Sequence, residues 1–532
     1  VGTFFCAHRF PESSDLLKKV TSGGLVTEYG YETHRNLKTQ VRNTWAPPPA
    51  NETVLSQYDY RYDELGRRES VGNSGTAFIN GEKSVFHNIH AYNDRNELTG
   101  SVRKEGTVAA PAATVDAEGR LYEYDPIGNR INSTGGTGPQ VTYARNGVNQ
   151  YTALTGGISA SPAYDDDGNM TGYDGAAYTW NAENRLTTVE TADRKITFLY
   201  DYMGRRVQKK VFSNNGTGWN TSPDEIRVFV YDGWSLIRET VTGAASGETY
   251  YVWGLDLSQS FGGAGGIGGL LCSVSGGEVR RYAYDANGNV GQLVDEDGVI
   301  VARYEYDSFG NGIVAEGTGA QDNPFRFSTK YSDAETGLYY YGFRYYSAEL
   351  GRWINRDPIG ERGGFNLCLI VSNDPINKWD YLGMAGDKTH GVKGCKSGDD
   401  CITLKFKMGN IIASLKERRA EMIPFSTCGQ PWRSYIGHAQ QIAQQFTMLK
   451  KCHKLYKEHT PPCCDDPGGK NLPFYNPYPL PEWKPEPYNP SESFLDNIIE
   501  AAKTTGHIVE KIAVGTGITM LIIIGTVTGA AS

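Results

Sequence analysis

Methionine and histidine are scarce in this chain, at 7 and 9 of 532 residues, and positive charge is in deficit, with a net charge of −9. That balance argues against a general nucleic-acid binder, which needs a basic face to neutralise phosphates. No signal peptide is present at the N-terminus, and the first residue is Val1 rather than Met. The expectation is a C-terminal part of something longer. Cysteine is thin over the first 384 residues, where Cys6, Cys272 and Cys368 lie scattered. No CxxC pair occurs anywhere, which argues against a standard structural zinc site.

Tyrosine and glycine, by contrast, are abundant at 34 and 64 residues. This is an all-β composition, with aromatic strands and glycine turns. One phrase recurs before residue 320, Tyr-Asp-x-x-Gly. It occurs at Tyr62-Asp63 with Gly66, Tyr124-Asp125 with Gly128, Tyr164-Asp165 with Gly168, Tyr200-Asp201 with Gly204, Tyr284-Asp285 with Gly288, and Tyr306-Asp307 with Gly310. Weaker copies span Tyr92 to Leu98, Trp180 to Leu186 and Tyr231-Asp232. Each copy reads as a hairpin. Tyr ends the incoming strand, Asp caps the turn, Gly takes the left-handed position, and Asn or Arg opens the outgoing strand. A single hairpin is marginal, but stacked copies bury one another's faces. Irregular spacing excludes a propeller of equal blades and predicts a continuous sheet winding into a spiral or hollow shell.

Asn323–Met384 is the most specific stretch. It holds two Asp-centred turns, Asp357-Pro358-Ile359-Gly360 and Asp380-Tyr381-Leu382-Gly383. Peptide hydrolysis by carboxylates needs two of them close together sharing one proton, one to activate water and one to protonate the carbonyl or leaving amine. Asp357 and Asp380 are 23 residues apart. A short strand pair within the intervening residues, with apolar Leu367 to Val371, is expected to bring the turns together. Either Asp alone would read as an ordinary turn cap.

The chain resembles the Rhs or YD-repeat family, which includes the C component of insecticidal toxin complexes. The match is carried by YTWNAENRLTTVE (178–190), FVYDGWSLIRE (229–239), YVWGLDLSQSFGGAGGIGGLL (251–271) and YAYDANGNVGQLVDEDGVIVARYEYDSFGN (282–311), and Asn323–Met384 is similar to the Rhs-associated core domain. The resemblance covers roughly residues 55–384. It implies a β-shell that encapsulates a C-terminal effector and releases it by self-cleavage. It also implies that Asp357 and Asp380 form an aspartyl-type pair, that Arg344 assists them, and that the cut falls between Met384 and Ala385. Two departures from the family pattern, Tyr381 in place of Pro and Met384 in place of Leu, predict slower or absent cleavage; Tyr381 loses the fixed φ that stiffens the turn.

The character of the chain changes after Met384. Residues 385–532 hold 17 Lys+Arg and 14 Asp+Glu, against 35 and 47 before them. Cys395, Cys401, Cys428, Cys452, Cys463 and Cys464 crowd into about 70 residues, which suggests disulfides in an oxidising compartment. Zinc on Cys452, His453, His459, Cys463 and Cys464 is the competing reading. Apolar spacing predicts helices over 402–422 and 434–459. His438 is a candidate base, although a histidine on a helix face is more often simply exposed. No nuclease, deaminase or ADP-ribosylating motif is recognisable there. Ten of the thirty residues from Pro461 to Pro490 are proline, an extended spacer. Ser491 to Lys511 reads as a capped helix. Ile512 to Ala531 is 20 residues without a charge, long enough to span a membrane.

The expected organisation is therefore mainly β: a partial N-terminal region of the shell (1–54), spiralling antiparallel hairpin repeats (55–322), and a core segment with the self-cleavage motif (323–384). A small α-helical Cys-rich module (385–465), a Pro-rich linker (466–490) and an amphipathic then hydrophobic C-terminal helix (491–532) follow. The expected function is encapsulation and delivery of the C-terminal module, secreted or at the surface of a bacterium, with no cofactor and no metal. Secretion machinery and an immunity protein would be its partners, and residues 512–531 would enter a membrane. The alternative is a cell-surface adhesion or carbohydrate-binding protein, in which the repeats bind glycans, the tail anchors the chain, and the two aspartates have no task.

Overall fold

The computed structural model describes residues 16–47, 52–79, 81, 84–243 and 246–384, together with the backbone of strands Cys6–Arg9, His507–Val514 and Ile518–Thr526. The chain divides into two compact units, the larger being Phe5–Lys388. Within that unit the architecture is antiparallel β. Thirteen strands between Cys6 and Gly156 form one sheet, and fourteen strands between Ala163 and Glu316 form a second. Nearly every strand pairs with its neighbours in sequence, so both sheets are meanders. The antiparallel hairpins expected from the repeat are present in these two sheets. Among the described residues the only helices are short 3-10 turns, and no helix is long and apolar enough to cross a membrane.

The recurring phrase explains the meander. At Asp125, Oδ1 accepts hydrogen bonds from the backbone of Ile127 (3.1 Å) and Asn129 (2.8 Å), while Oδ2 accepts from Asn129 Nδ2 (3.0 Å). The chain closes behind the carboxylate, with Asp125 N donating to Asn129 O and Gly128 N to Asp125 O. Gly128 has φ +89°, a conformation that side chains disfavour. The same Oδ2 contact from the residue four positions on is made at all six copies. Asn169, Asn289 and Asn311 supply it by their amides, and Arg67 and Arg205 by Nε. Asn93, Asn146 and Asn181 build the same turn with an amide oxygen, and Asn96, Asn149 and Asn184 replace the glycine at positive φ. The copy at Asn146 escaped the sequence pattern because it has neither Tyr-Asp nor the glycine.

The tyrosine does more than end its strand. Its hydroxyl reaches back to the first carbonyls of the preceding repeat's outgoing strand: Tyr62 to Lys38, Tyr92 to Arg68, Tyr124 to Leu98, Tyr200 to Leu186, Tyr284 to Leu270 and Tyr306 to Val290. Trp180 and Trp253 do the same with Nε1, to Met170 and Leu236. Each repeat is thus tied to the one before it through a backbone carbonyl.

The two sheets meet through buried polar contacts. Asn43 Nδ2 donates to Tyr284 O (3.0 Å), Ser56 Oγ to Gln292 Oε1 (2.6 Å) and Ala286 N to the Tyr60 hydroxyl (2.9 Å). Residues 323–384 fill the space that remains. Tyr331, Tyr340, Tyr345, Leu350 and Ile354 join one core with the strand residues Leu186, Ile196, Phe198 and Phe229. A buried ion pair marks the seam, Arg206 with Asp333 (2.5 Å), ringed by Phe198, Phe229, Tyr331 and Tyr340, with Lys209 bridging Asp333 and Glu335.

One expectation is corrected. In place of a hydrophobic helix through 512–531, His507–Val514 and Ile518–Thr526 pair as an antiparallel hairpin. The stretch is rich in Ile, Val and Thr, which prefer extended backbone, and Gly-Thr-Gly lies between the strands. The Cys-rich module, the two helices at 402–422 and 434–459, His438, the zinc candidates and the Pro-rich linker lie outside the described residues.

Replacing Asp125 by Ala removes three hydrogen bonds and the Arg145 ion pair from a buried turn. We expect a loss of about 2–4 kcal/mol. Tyr124→Phe, which removes the hydroxyl bond to the Leu98 carbonyl and the contact with Arg130, should cost about 1 kcal/mol. The midpoints of urea unfolding of the two variants check this order.

Candidate functional site

Asp357 and Asp380 converge, and the residue between them is Arg344. All three are buried, at 5, 2 and 1% exposure. Arg344 Nη2 lies 3.0 Å from Asp357 Oδ2 and 3.3 Å from Asp380 Oδ2, so both carboxylates rest on one nitrogen. Nη1 donates to Leu367 O at 3.1 Å, and Nε donates to Gly383 O. Trp353 stacks on the guanidinium, 4.2 Å from ring centroid to carbon. The three residues named from the sequence are therefore brought together, along with Met384. Ala385 lies outside the described residues.

The means of convergence differs from expectation. Leu367 to Val371 does not form a strand pair; it holds only an isolated bridge from Leu369 to Arg352, followed by the 3-10 turn Val371–Asn373. Backbone contacts draw the segments in instead, from Asp357 N to Leu367 O (2.9 Å) and from Trp353 N to Cys368 O (3.0 Å). On the other side Phe343 N donates to Leu382 O (3.0 Å). Gly383 makes that close approach possible, since a Cβ there would sit 3.0 Å from Arg344 N.

The two candidate turns are variants of the repeat turn. Met384 N donates to Asp380 Oδ1 (2.8 Å), as the fourth residue does in the repeats, and Ile359 N donates to Asp357 Oδ1 (3.0 Å). The difference lies at Oδ2. In the six repeats that oxygen is taken by Asn or Arg four residues on. Here the fourth residues are Glu361 and Met384, neither of which has a proton to give at neutral pH. Oδ2 turns instead to Arg344. This was readable in the sequence as a missing Asn or Arg after an otherwise intact turn.

Charge is unbalanced in this pocket. Burial pushes the Asp380 carboxyl up from its ordinary value; Arg344 opposes the shift, Asp357 adds to it and Lys330 opposes it. Burial also draws Arg344 downward against the pull of both carboxylates. One guanidinium facing two buried carboxylates is the setting in which the pair retains a proton. The backbone around it is strained. Leu382, Ser328, Thr329, Val371, Ser372 and Asn373 all have positive φ, at a cost of about 1–3 kcal/mol each.

Sequence reasoning missed Trp353 and Lys330, and the buried Asp374 elsewhere in the segment. Asp374 is 2% exposed, and its Oδ1 accepts from Asn377 Nδ2 (2.8 Å). Burial pushes its carboxyl up from 3.8 to about 6. A raised carboxyl contributes stability that is complete below about pH 3.8 and is lost as the pH rises through about 6. Relative to Asp374→Asn, the wild-type chain should gain up to about 3 kcal/mol as the pH falls from 8 to 4, read by urea unfolding at each pH. Met384→Asn should restore the repeat-type contact to Asp380 Oδ2 and draw it from Arg344. Met384→Leu should not. A crystal structure of each variant, with the Arg344–Asp380 distance measured, checks this.

No family model matches the chain. The toxin subunit YenC1 of Yersinia entomophaga is 27% identical over 417 residues, covering 71% of this chain and 42% of that protein. The tRNA nuclease WapA of Bacillus subtilis is 29% identical over 382 residues, 62% of this chain and 15% of that protein. The toxin protein Tse5 of Pseudomonas aeruginosa is 27% identical over 337 residues, 61% and 23%. The chain thus spans less than half the length of each. Among solved structures, the Tc holotoxin pore of Photorhabdus luminescens with a TccC3 variant aligns with a TM-score of 0.55 at 20% identity, over 70% of this chain and 18% of that one. The TcdB2-TccC3 crystal structure aligns at 0.53 and 20%, over 69% and 19%. A repeat of Asp-capped hairpins, a fold shared with these structures and relatives of this kind make the chain similar to the Rhs-type toxin proteins.

Proposed function

We propose that the chain is an Rhs-type carrier that delivers its own C-terminal module outside the producing cell and severs it between Met384 and Ala385. In this reading 55–322 is the repeat scaffold, 323–384 the self-cleaving core segment, and 385–532 the cargo. The support is the placement of Asp357 and Asp380 on one nitrogen of Arg344, with Asp380 also holding the backbone of Met384.

The chemistry is hydrolysis. The ionised carboxylate of the pair takes a proton from water, whose oxygen bonds to the Met384 carbonyl carbon. The protonated carboxyl of the pair gives its proton to the departing nitrogen of Ala385, and the C–N bond breaks. Arg344 keeps one carboxylate ionised and fixes the Gly383 carbonyl, so the residue before the scissile bond is held from both sides. Tyr381 is compatible with this turn, because Met384 N donates to Tyr381 O (3.2 Å) across Leu382 and Gly383 at φ +59° and +75°.

The purified chain should contain a C-terminal fragment of about 16 kDa beginning at Ala385. Asp357→Asn and Asp380→Asn should each leave it intact, a rate loss of at least about 1000-fold. Intact-mass spectrometry reads the outcome. A wild-type chain that stays whole would sink the proposal.

A further inference from the structure

Lys330 is 5% exposed. It follows Ser328 and Thr329, two left-handed residues at φ +51°. Thr329 Oγ1 fastens this kink by donating to Gly288 O (2.6 Å) and accepting from Gly268 N (2.7 Å). The side chain is thereby delivered inward, where Nζ donates to Gly265 O (2.8 Å) and lies 5.1 Å from the Tyr341 ring centroid. Gly265 is the wall shared with the second candidate turn. A carbon added there would stand 3.2 Å from Lys330 Nζ and 3.4 Å from Leu382 N.

The charged and titratable groups facing Lys330 are few. Asp256 comes from the glycine-rich loop, Asp380 from the turn, and Tyr341 from the loop that also carries Arg344; beyond Asp380 stand Arg344 and Asp357. Asp256 is served within its own loop, its carboxylate accepting from Ser258 N, Ser258 Oγ, Ala264 N and Gly266 N. Asp380 is the carboxylate whose remaining charge Lys330 can balance.

We propose that Lys330 is a positioning residue of the self-cleavage centre, a second cation that holds Asp380 ionised and so leaves the shared proton on Asp357. This rests on the self-cleavage reading above. Burial pushes the Lys330 amine down to about 8, with Asp380 and Asp256 pulling it up. Without Lys330, the first deprotonation of the pair needs a higher pH.

The test uses the full chain, taken uncut from inclusion bodies into denaturant, then refolded by dilution at pH 4 to 9 while the C-terminal fragment is timed by gel. Lys330→Met conserves volume and length, and Lys330→Arg conserves charge. Expected is an upward shift of about one pH unit in the low-pH limb for Lys330→Met, and a limb returned to the wild-type position for Lys330→Arg. A Lys330→Met profile that superimposes on wild type, or is scaled down equally at every pH, overturns the inference while leaving self-cleavage intact. If Lys330→Met does not refold, a Lys330→Arg limb displaced as far as one pH unit overturns it. A wild-type chain uncleaved at every pH overturns the self-cleavage reading and this one with it.

Discussion

The Asp carboxylate that closes each hairpin is the constraint on which the rest of the structure depends. One oxygen ties down two backbone amides of the turn, and the other holds the side chain of the fourth residue. A turn secured in this way sets the register of its two strands, and the tyrosine before it ties the pair to the preceding hairpin through a single carbonyl. Two sheets of thirteen and fourteen strands follow from repeating that local rule, with little need for contacts distant in sequence until the sheets meet.

The candidate site is the same rule with one contact withheld. Asp357 and Asp380 keep their turn bonds, but the fourth residue offers no donor, so the second oxygen is passed to Arg344. Burying a guanidinium and two carboxylates is costly unless each is paired. Here pairing is bought with strained backbone at Leu382, Ser328 and Val371–Asn373, and with the stacking of Trp353. Charge imbalance, low exposure and strain coincide where the proposed chemistry needs them.

Much of this was legible in the residues. Tyr-Asp-x-x-Gly announced hairpins because each of its residues has a conformational or hydrogen-bonding reason to be there. Asp357 and Asp380 could be named because they sit in turns that match a family pattern, and Arg344 because it occupies the matching position of that pattern in Gly342–Tyr346. The strand pair expected near Leu367 was wrong, since apolar run and strand are not synonymous where a segment is held by isolated backbone bonds. The helix expected at 512–531 was wrong over the described strands, since length and hydropathy do not distinguish helix from β-branched hairpin. The turn at Asn146 was invisible because Asn replaces both Asp and Gly.

Local chemistry by itself determined the turn type, the antiparallel class and the two reactive-type turns, because those depend on residues within five positions of one another. The tertiary structure alone decided that both carboxylates share one guanidinium nitrogen, that Trp353 covers it, and that Lys330 is bonded to Gly265 against the turn at Leu382. Those neighbours come from segments far apart along the chain, and their proximity is set by how residues 323–384 fill the space between the sheets, which no spacing along the chain encodes.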